Sequence, residues 1–337
     1  MTELRFITAG ESHGKALVAL VEGMPAGLEI TEDYIALDMR RRQGGYGRSR
    51  RQQIEQDRAE IVSGVRHGRT LGGPIAMIVP NRVWEDWQEV MQVGPYEGEP
   101  KRVTRLRPGH ADLAGAMKYG FDDVRNILER ASARETAARV AVGAVCRRLL
   151  EEFAVAIHSH TVSVGDIGVT VDGEPDWVAV EESPVRCADP EAGERMCHAI
   201  DAAQEAGDTL GGVFEMWATG VPIGLGSHVM WDRKLDGQLA QAVMSIHAVK
   251  GVEIGLSAPR TMSGSPLVMP PSRPPARLLA RRQGRSPHRS GGRMTSWARE
   301  PGVAVRAKPP PISTPLTAWM LITACASSPS SLRSHIT

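Results

Sequence analysis

The feature that most limits what this chain can fold into is a change of character after GVEIG at 251–255. Of the 337 residues, the stretch 256–337 contains no Asp, one Glu (Glu300) and twelve Lys or Arg. It also holds thirteen of the 23 prolines, in runs such as MPPSRPPAR and KPPPISTP. Proline lacks an N–H and crowds the preceding turn, so such runs suppress helices and central strands. One compact core is therefore expected in residues 1–255, with 256–337 a basic, Pro-rich and poorly ordered tail. A second origin fits the same composition: a GC-rich gene read out of frame loses acids and gains Pro and Arg.

The charge balance excludes several function classes. The chain carries +1 overall, which leaves residues 1–255 at −10 once the tail is set aside. A uniformly basic nucleic-acid surface is not indicated. Aromatic residues are 4% of the chain, which offers few platforms for stacking bases. No apolar run is long enough to span a bilayer, and the start lacks the charged-then-apolar pattern of a signal peptide. Cys146, Cys187, Cys197 and Cys325 show no CxxC spacing and read as reduced thiols of a cytoplasmic protein. Neither a membrane nor a nucleic-acid partner is expected.

The first 255 residues read as a compact mixture of strands and helices of α/β type. LRFIT, PIAMIV, VAIHSHTVSVG and GGVFEMWATGV are strand candidates. TEDYIALDMRRR, the segment from Ser132 to about Phe153, PEAGERMCHAIDAAQEAG and DGQLAQAVMSIHAV are helix candidates, with Thr31 as a cap and Gly207 as a stop. In the second helix, Ala133, Ala137, Val140, Ala144 and Leu149 share one face at helical spacing. The segments TLGGPIAMIV and TLGGVFEMWA each run from a Gly pair into an apolar strand, which hints at a duplicated unit.

Four stretches carry chemistry. AGESHGKA, residues 9–16, places Glu11, Ser12 and His13 in a Gly-flanked turn. It is not a phosphate loop, because only three residues separate the glycines and Ala16 follows the Lys. Its residues leave His13 open between a catalytic group and an ordinary turn residue. RRRQGGYGRSRR, residues 40–51, has six arginines in twelve positions, whose forks suit phosphate and carboxylate. RLRPGHADLAGAMKYGFDD, residues 105–123, sets His110 beside Asp112 and Arg107. ERASARETAARVAVGA, residues 129–144, opens a helix at Ser132, with Glu135 placed for a capping box and Arg130 and Arg134 flanking free amides suited to an anion. His158 and His160 share a strand face but have no Cys or acidic partner at ligand spacing, so no metal is expected.

Together these residues resemble the chorismate synthase family. The matching stretches are FITAGESHG, VEGMPAGL, RRQGGYGR, SGVRHGRTLGGPI, RPGHAD, MKYGFDD, ERASARETAARVA, GDTLGG, GVPIGLGS and LAQAVMSIHAVKGVEIG, in the family's order over residues 1–255. The resemblance implies an α+β fold, a β-α-β sandwich, assembled as a homotetramer with active sites completed by neighbouring subunits. It implies a lyase that converts 5-enolpyruvylshikimate 3-phosphate to chorismate and phosphate by anti 1,4-elimination. Reduced FMN would be required, supplied by an external flavin reductase, since no reductase domain is evident. By resemblance, His13 protonates the leaving phosphate with Ser12 beside it, and His110 tunes the flavin. Arg130, Ala131 and Ser132, with His247 and Ala248 on a later helix, contact the flavin. Arg42, Arg48 and Arg134 serve the anionic groups of the substrate or of NADP.

After GVEIG the resemblance breaks. HRSGG at 288–292, VRA at 305–307, PIST at 311–314 and RSHIT at 333–337 echo family motifs, but His288, Pro309 or Pro310, and His335 replace an Asn, a Lys and an Asp. A chain lacking those flavin-side groups could be a catalytically impaired flavin- or anion-binding relative. Resequencing the 3′ end of the gene separates the two origins of the tail. An intact family-like frame is expected, and a verified tail would remove the frameshift.

Overall fold

The computed structural model describes residues 4–47, 57–99, 101–256 and 303–307. Three sheets and the helices between them make up these residues, and every strand pairing is antiparallel. The architecture is therefore α+β rather than the α/β alternation suggested by the order of candidate elements.

The first sheet has the order β1-β2-β7-β4, with β1 at Arg5–Ala9, β2 at Ala16–Glu22, β4 at Glu60–Ser63 and β7 at Ile75–Pro80. Its inner face is set by alternation: Leu17, Ala19 and Val21 of β2 and Ile75, Met77 and Val79 of β7 are buried. The second sheet has the order β11-β12-β10-β8-β9. Its strands are β8 (Ala156–Val164), β9 (Ile167–Gly168), β10 (Gly212–Thr219), β11 (Val252–Leu256) and β12 (Val303–Ala307). A small sheet, β3-β6-β5, joins Ala26–Glu29, Arg69–Leu71 and Val65–Arg66. The two segments that follow a TLGG run become β7 and β10, each inside one of the two large sheets.

Helix α1 (Glu32–Gln43) starts where Thr31 accepts a hydrogen bond from the Tyr34 N–H at 3.2 Å. Four shorter or peripheral helices follow along the chain: α2 (Gln88–Met91), α3 (Asp112–Tyr119), α4 (Arg125–Leu128) and, after the long α5, α6 (Trp177–Glu182). Helix α5 (Thr136–Glu151) is the centre of the layer: it packs on α1, on β1, β2 and β7 of the first sheet, and on β8 of the second. Its sequence suggests one apolar face, yet it is buried nearly all round from Ala137 to Cys146, with Arg139 the partly exposed position. Alanine and glycine on the remaining faces let both layers approach. The Ser132 side chain accepts from Arg134 N at 3.3 Å and caps a 3-10 turn, Ala133–Glu135, ahead of the helix. The capping box does not form, because Glu135 turns to Thr8 and Arg139.

Helix α7 (Pro190–Glu205) begins at an Asp189 cap and stops before Gly207 (φ 68°). Helix α8 (Leu235–Met244) ends earlier than its apolar pattern suggests, so His247 and Ala248 lie in the turn that follows it. Strand β12 comes from beyond residue 256 and fills the gap between β11 and β10. The other residues of 257–337 lie outside the described residues.

The β1–β2 turn depends on Gly10, at φ 101°, where a Cβ would sit 2.4 Å from the Ala16 carbonyl oxygen and 2.9 Å from Leu17 Cα. Gly10→Ala meets backbone on one side and a left-handed conformation on the other. Urea unfolding is expected to show a loss of about 2 kcal/mol or more.

Candidate active site

The turn between β1 and β2 is held by a distant segment. The Ser12 N–H donates to the Glu129 carbonyl oxygen at 3.0 Å, and Ser12 Oγ accepts from Ser132 Oγ at 3.1 Å. The His13 N–H donates to Glu129 Oε2 at 3.0 Å, and His13 Nδ1 lies 2.7 Å from that same oxygen. The indole of Trp87 stacks on the His13 ring with centroids 3.7 Å apart and planes 23° apart. Asn81 closes the other side, donating from Nδ2 to the Gly14 carbonyl at 2.9 Å and from its N–H to Lys15 at 3.1 Å. Ser12, His13 and Ser132, singled out in sequence, thus stand together. Glu129, Trp87 and Asn81 carry no local signal of this role, although Glu129 heads the ERASARE stretch.

A second cluster surrounds His110. Its Nδ1 hydrogen-bonds Asp112 Oδ1, while Asp112 Oδ2 accepts from the Arg107 N–H at 3.0 Å and from Arg107 Nε at 3.3 Å. Asp112 is fully buried. Burial pushes its carboxyl up, but the hydrogen bonds from Arg107 and His110 outweigh that and hold it below the usual carboxylate range.

Beside these lies a cavity of about 470 Å³ lined by Ala111, Ile127, Arg130, Ala131, Glu135, Arg139 and His247, with Tyr119 and Phe121 among its walls. Arg130 is anchored through Nη2 to the Thr8 carbonyl at 2.8 Å and to Thr8 Oγ1 at 3.0 Å. Glu135 accepts from Thr8 Oγ1 at 2.6 Å and from Arg139 Nε at 3.0 Å. Partial desolvation lowers the His247 pKa. Glu135 opposes this, while Arg139, Arg130 and His110 add to it, so the surroundings disfavour the charged ring. Its neighbour Ala248 has φ 71°, a left-handed conformation uncommon outside glycine. Of the flavin residues implied by resemblance, Arg130, Ala131 and His247 line this cavity, while Ser132 faces Ser12 instead.

Arg42 and Arg134 are brought together by a residue that sequence reasoning did not single out, Asp57. Arg42 Nη1 lies 3.3 Å from Asp57 Oδ2, and Arg134 Nη2 lies 3.0 Å from Asp57 Oδ1. Arg42 also donates to Thr136 Oγ1 at 3.1 Å and to the Ala133 carbonyl at 3.0 Å. Arg134 donates to the Pro80 carbonyl at 3.3 Å. All three side chains are buried, and both arginines brace the start of α5. Arg48 lies outside the described residues. His158 stacks on Trp177 at 4.5 Å, and His160 Nε2 lies 3.1 Å from Glu215 Oε2. Among the described residues no group of three His, Cys, Asp or Glu is placed to hold a metal, and no helix is long and apolar enough to cross a membrane.

The family model described as chorismate synthase matches residues 4–317. Chorismate synthase of Moorella thermoacetica is 60% identical over 255 residues, 75% of this chain and 66% of that protein. That of Desulforudis audaxviator is 58% identical over 257 residues, 75% of this chain and 66% of that protein. The match thus spans about two thirds of the length of these relatives. A crystal structure of chorismate synthase superposes with a TM-score of 0.67 at 39% identity, covering 97% of this chain and 90% of that one.

The Asp112 cluster predicts a pH dependence of stability. A carboxyl with a lowered folded-state pKa contributes stability that is present above its unfolded value and lost as pH falls through the folded one. Urea unfolding should therefore weaken across the acid range in the parent protein, and less steeply in Asp112→Asn.

Proposed function

The chain belongs to the chorismate synthase family, and from that we propose that it is a phosphate-eliminating lyase. It converts 5-enolpyruvylshikimate 3-phosphate to chorismate and phosphate by anti 1,4-elimination with reduced FMN, the last step of the shikimate route. The observation that carries this reading is that one turn serves two places. Glu129 and Ser132 hold Ser12 and His13, while Arg130 and Ala131 line the cavity. An acid for the departing phosphate and a space for a planar cofactor are thereby built on adjacent residues.

The cavity suits the flavin. Its volume lies within the range of about 300–1,000 Å³ usual for small-molecule sites. Ile127 and Phe121 give it apolar walls, and Arg130 and Arg139 give it cationic positions. Arg130, Ala131 and His247 are assigned to hold the cofactor, with Ser132 and Ala248 completing the two turns that carry them. When bound, reduced flavin supplies electron density as phosphate leaves and recovers it, so the reaction has no net redox change. His247, whose charged form its surroundings disfavour, can hydrogen-bond there. His110, clamped by Asp112 and next to Ala111 of the cavity wall, is assigned to tuning the flavin's protonation.

His13 is assigned to donate a proton to the leaving phosphate oxygen, which lowers the charge that oxygen carries as the C–O bond breaks. Ser12 holds the turn that carries it. Arg42, Arg48 and Arg134 are assigned to the anionic groups of the substrate or of NADP. Arg42 and Arg134 act from behind the α5 start, where each is bonded to protein. The reading includes an external flavin reductase and a homotetramer. The exposed apolar residues Ile7, Val18 and Leu20 of β1 and β2 suit contact with a second copy.

Anaerobic assays with reduced FMN and the enolpyruvyl substrate test the reading through phosphate release. His13→Ala is expected to lower kcat by about 10²–10⁴-fold with KM little changed. An unchanged rate would remove His13 from the role of acid.

A further inference from the structure

Glu129 has few alternatives to the role its contacts describe. Its side chain is 1% exposed, and a buried carboxylate is tolerated only where donors converge on it. Three do. Arg125 Nη1 lies 3.3 Å from Oε1, while Oε2 receives the His13 N–H at 3.0 Å and faces His13 Nδ1 at 2.7 Å. One oxygen thus grips both the main chain and the ring of the same residue, which fixes the two side-chain torsions of His13. The Glu129 carbonyl adds the Ser12 N–H at 3.0 Å. Trp87 supplies the remaining restraint, because a stacked indole 3.7 Å from the imidazole sets the plane of the ring. Arg125 sits 5.5 Å over the Trp87 ring, so one guanidinium supports both the carboxylate and the indole.

The chemical consequence concerns which nitrogen exchanges its proton. With Arg125 and a main-chain N–H both donating to it, the Glu129 carboxylate acts as an acceptor. Nδ1 therefore carries hydrogen whether the ring is neutral or protonated. The proton gained and lost by the ring is then always the one at Nε2, on the opposite edge. A buried carboxylate that holds an imidazole in one tautomer is a recurrent device of proton-transfer sites. Nothing in the GESHG motif itself provides it.

We propose that Glu129 is the positioning residue of His13, confining its exchangeable proton to Nε2, with Trp87 setting the ring plane. The proposal rests on the reading of His13 as the acid that serves the departing phosphate. Glu129→Gln is the sharpest change, since an amide offers one acceptor oxygen to three donors while keeping the shape of the side chain.

The full-length protein labelled with ¹⁵N-histidine, its His13 signals assigned through His13→Ala, reports the tautomer directly by ¹⁵N–¹H correlation. In the parent protein His13 should show the Nδ1–H pattern. In Glu129→Gln that pattern should be lost, kcat for phosphate release should fall about 10–100-fold, and KM should stay within about twofold. Glu129→Asp, which keeps the charge but shortens the reach, should retain the Nδ1–H pattern with an intermediate rate. Wild-type His13 signals in Glu129→Gln would overturn the proposal whatever the rate, and so would an unchanged rate alongside altered signals. An unchanged rate in His13→Ala removes the acid role instead, and the ¹⁵N signature of Glu129→Gln still reports whether the carboxylate sets the tautomer. If Glu129→Gln does not fold, Trp87→Leu replaces it. Altered His13 signals and a slower rate are then expected, and no change in either overturns the proposal.

Discussion

The contact between Glu129 and the Ser12–His13 turn is the interaction on which the site depends. Glu129 and His13 lie 116 positions apart, and three polar contacts from Glu129 fasten the turn. The cost of burying a carboxylate is offset only if all its donors are in place, so the turn cannot drift without exposing an unsatisfied charge. That all-or-none character gives His13 a defined orientation although it sits on a loop. A histidine on a polar turn without such an anchor would sample several rotamers and both tautomers.

The anchor in turn depends on α5. The segment that carries Glu129, Arg130, Ala131 and Ser132 runs directly into this helix, which is enclosed by α1 and by strands of both large sheets. The many alanines of the helix are explained by this position, since both layers reach its backbone only if its side chains are small. Arg42 and Arg134 reinforce the entry, sharing Asp57 and tying the helix start to Pro80, beside the Asn81 that holds the Gly14–Lys15 end of the turn. Core packing and site geometry are therefore one structure: a change that loosens the α5 entry also loosens His13.

The second sheet adds a different dependence. Its order requires Val303–Ala307 between β11 and β10, so two strands of the first 255 residues pair through a segment from the acid-poor stretch. The backbone groups of β10 and β11 that face β12 need partners in any version of this fold. The VRA echo at 305–307 falls within that strand. The composition of 256–337 as a whole gives no hint of it, because average charge and proline content say nothing about a local five-residue run such as VAVRA.

Several elements were legible because their signals are local. PIAMIV and GGVFEMWATGV became β7 and β10, Thr31 capped α1, and Gly207 followed α7. The helix ending at Met244 was read too long, since apolar spacing continues into a turn whose Ala248 takes a left-handed conformation. Glu135 had the spacing of a capping box, but Thr8 and Arg139 outcompeted the local amide for it. By itself the sequence determined the apolar faces, the turns, the chemical types at the site and, through its ordered motifs, the family. Only the tertiary structure decided that Glu129 meets His13, that Arg42 and Arg134 share Asp57, and which strand completes the second sheet. Periodicity records that a face must be covered; the covering group comes from elsewhere in the chain, as Glu129 does from 116 positions beyond His13, where no local spacing can specify it.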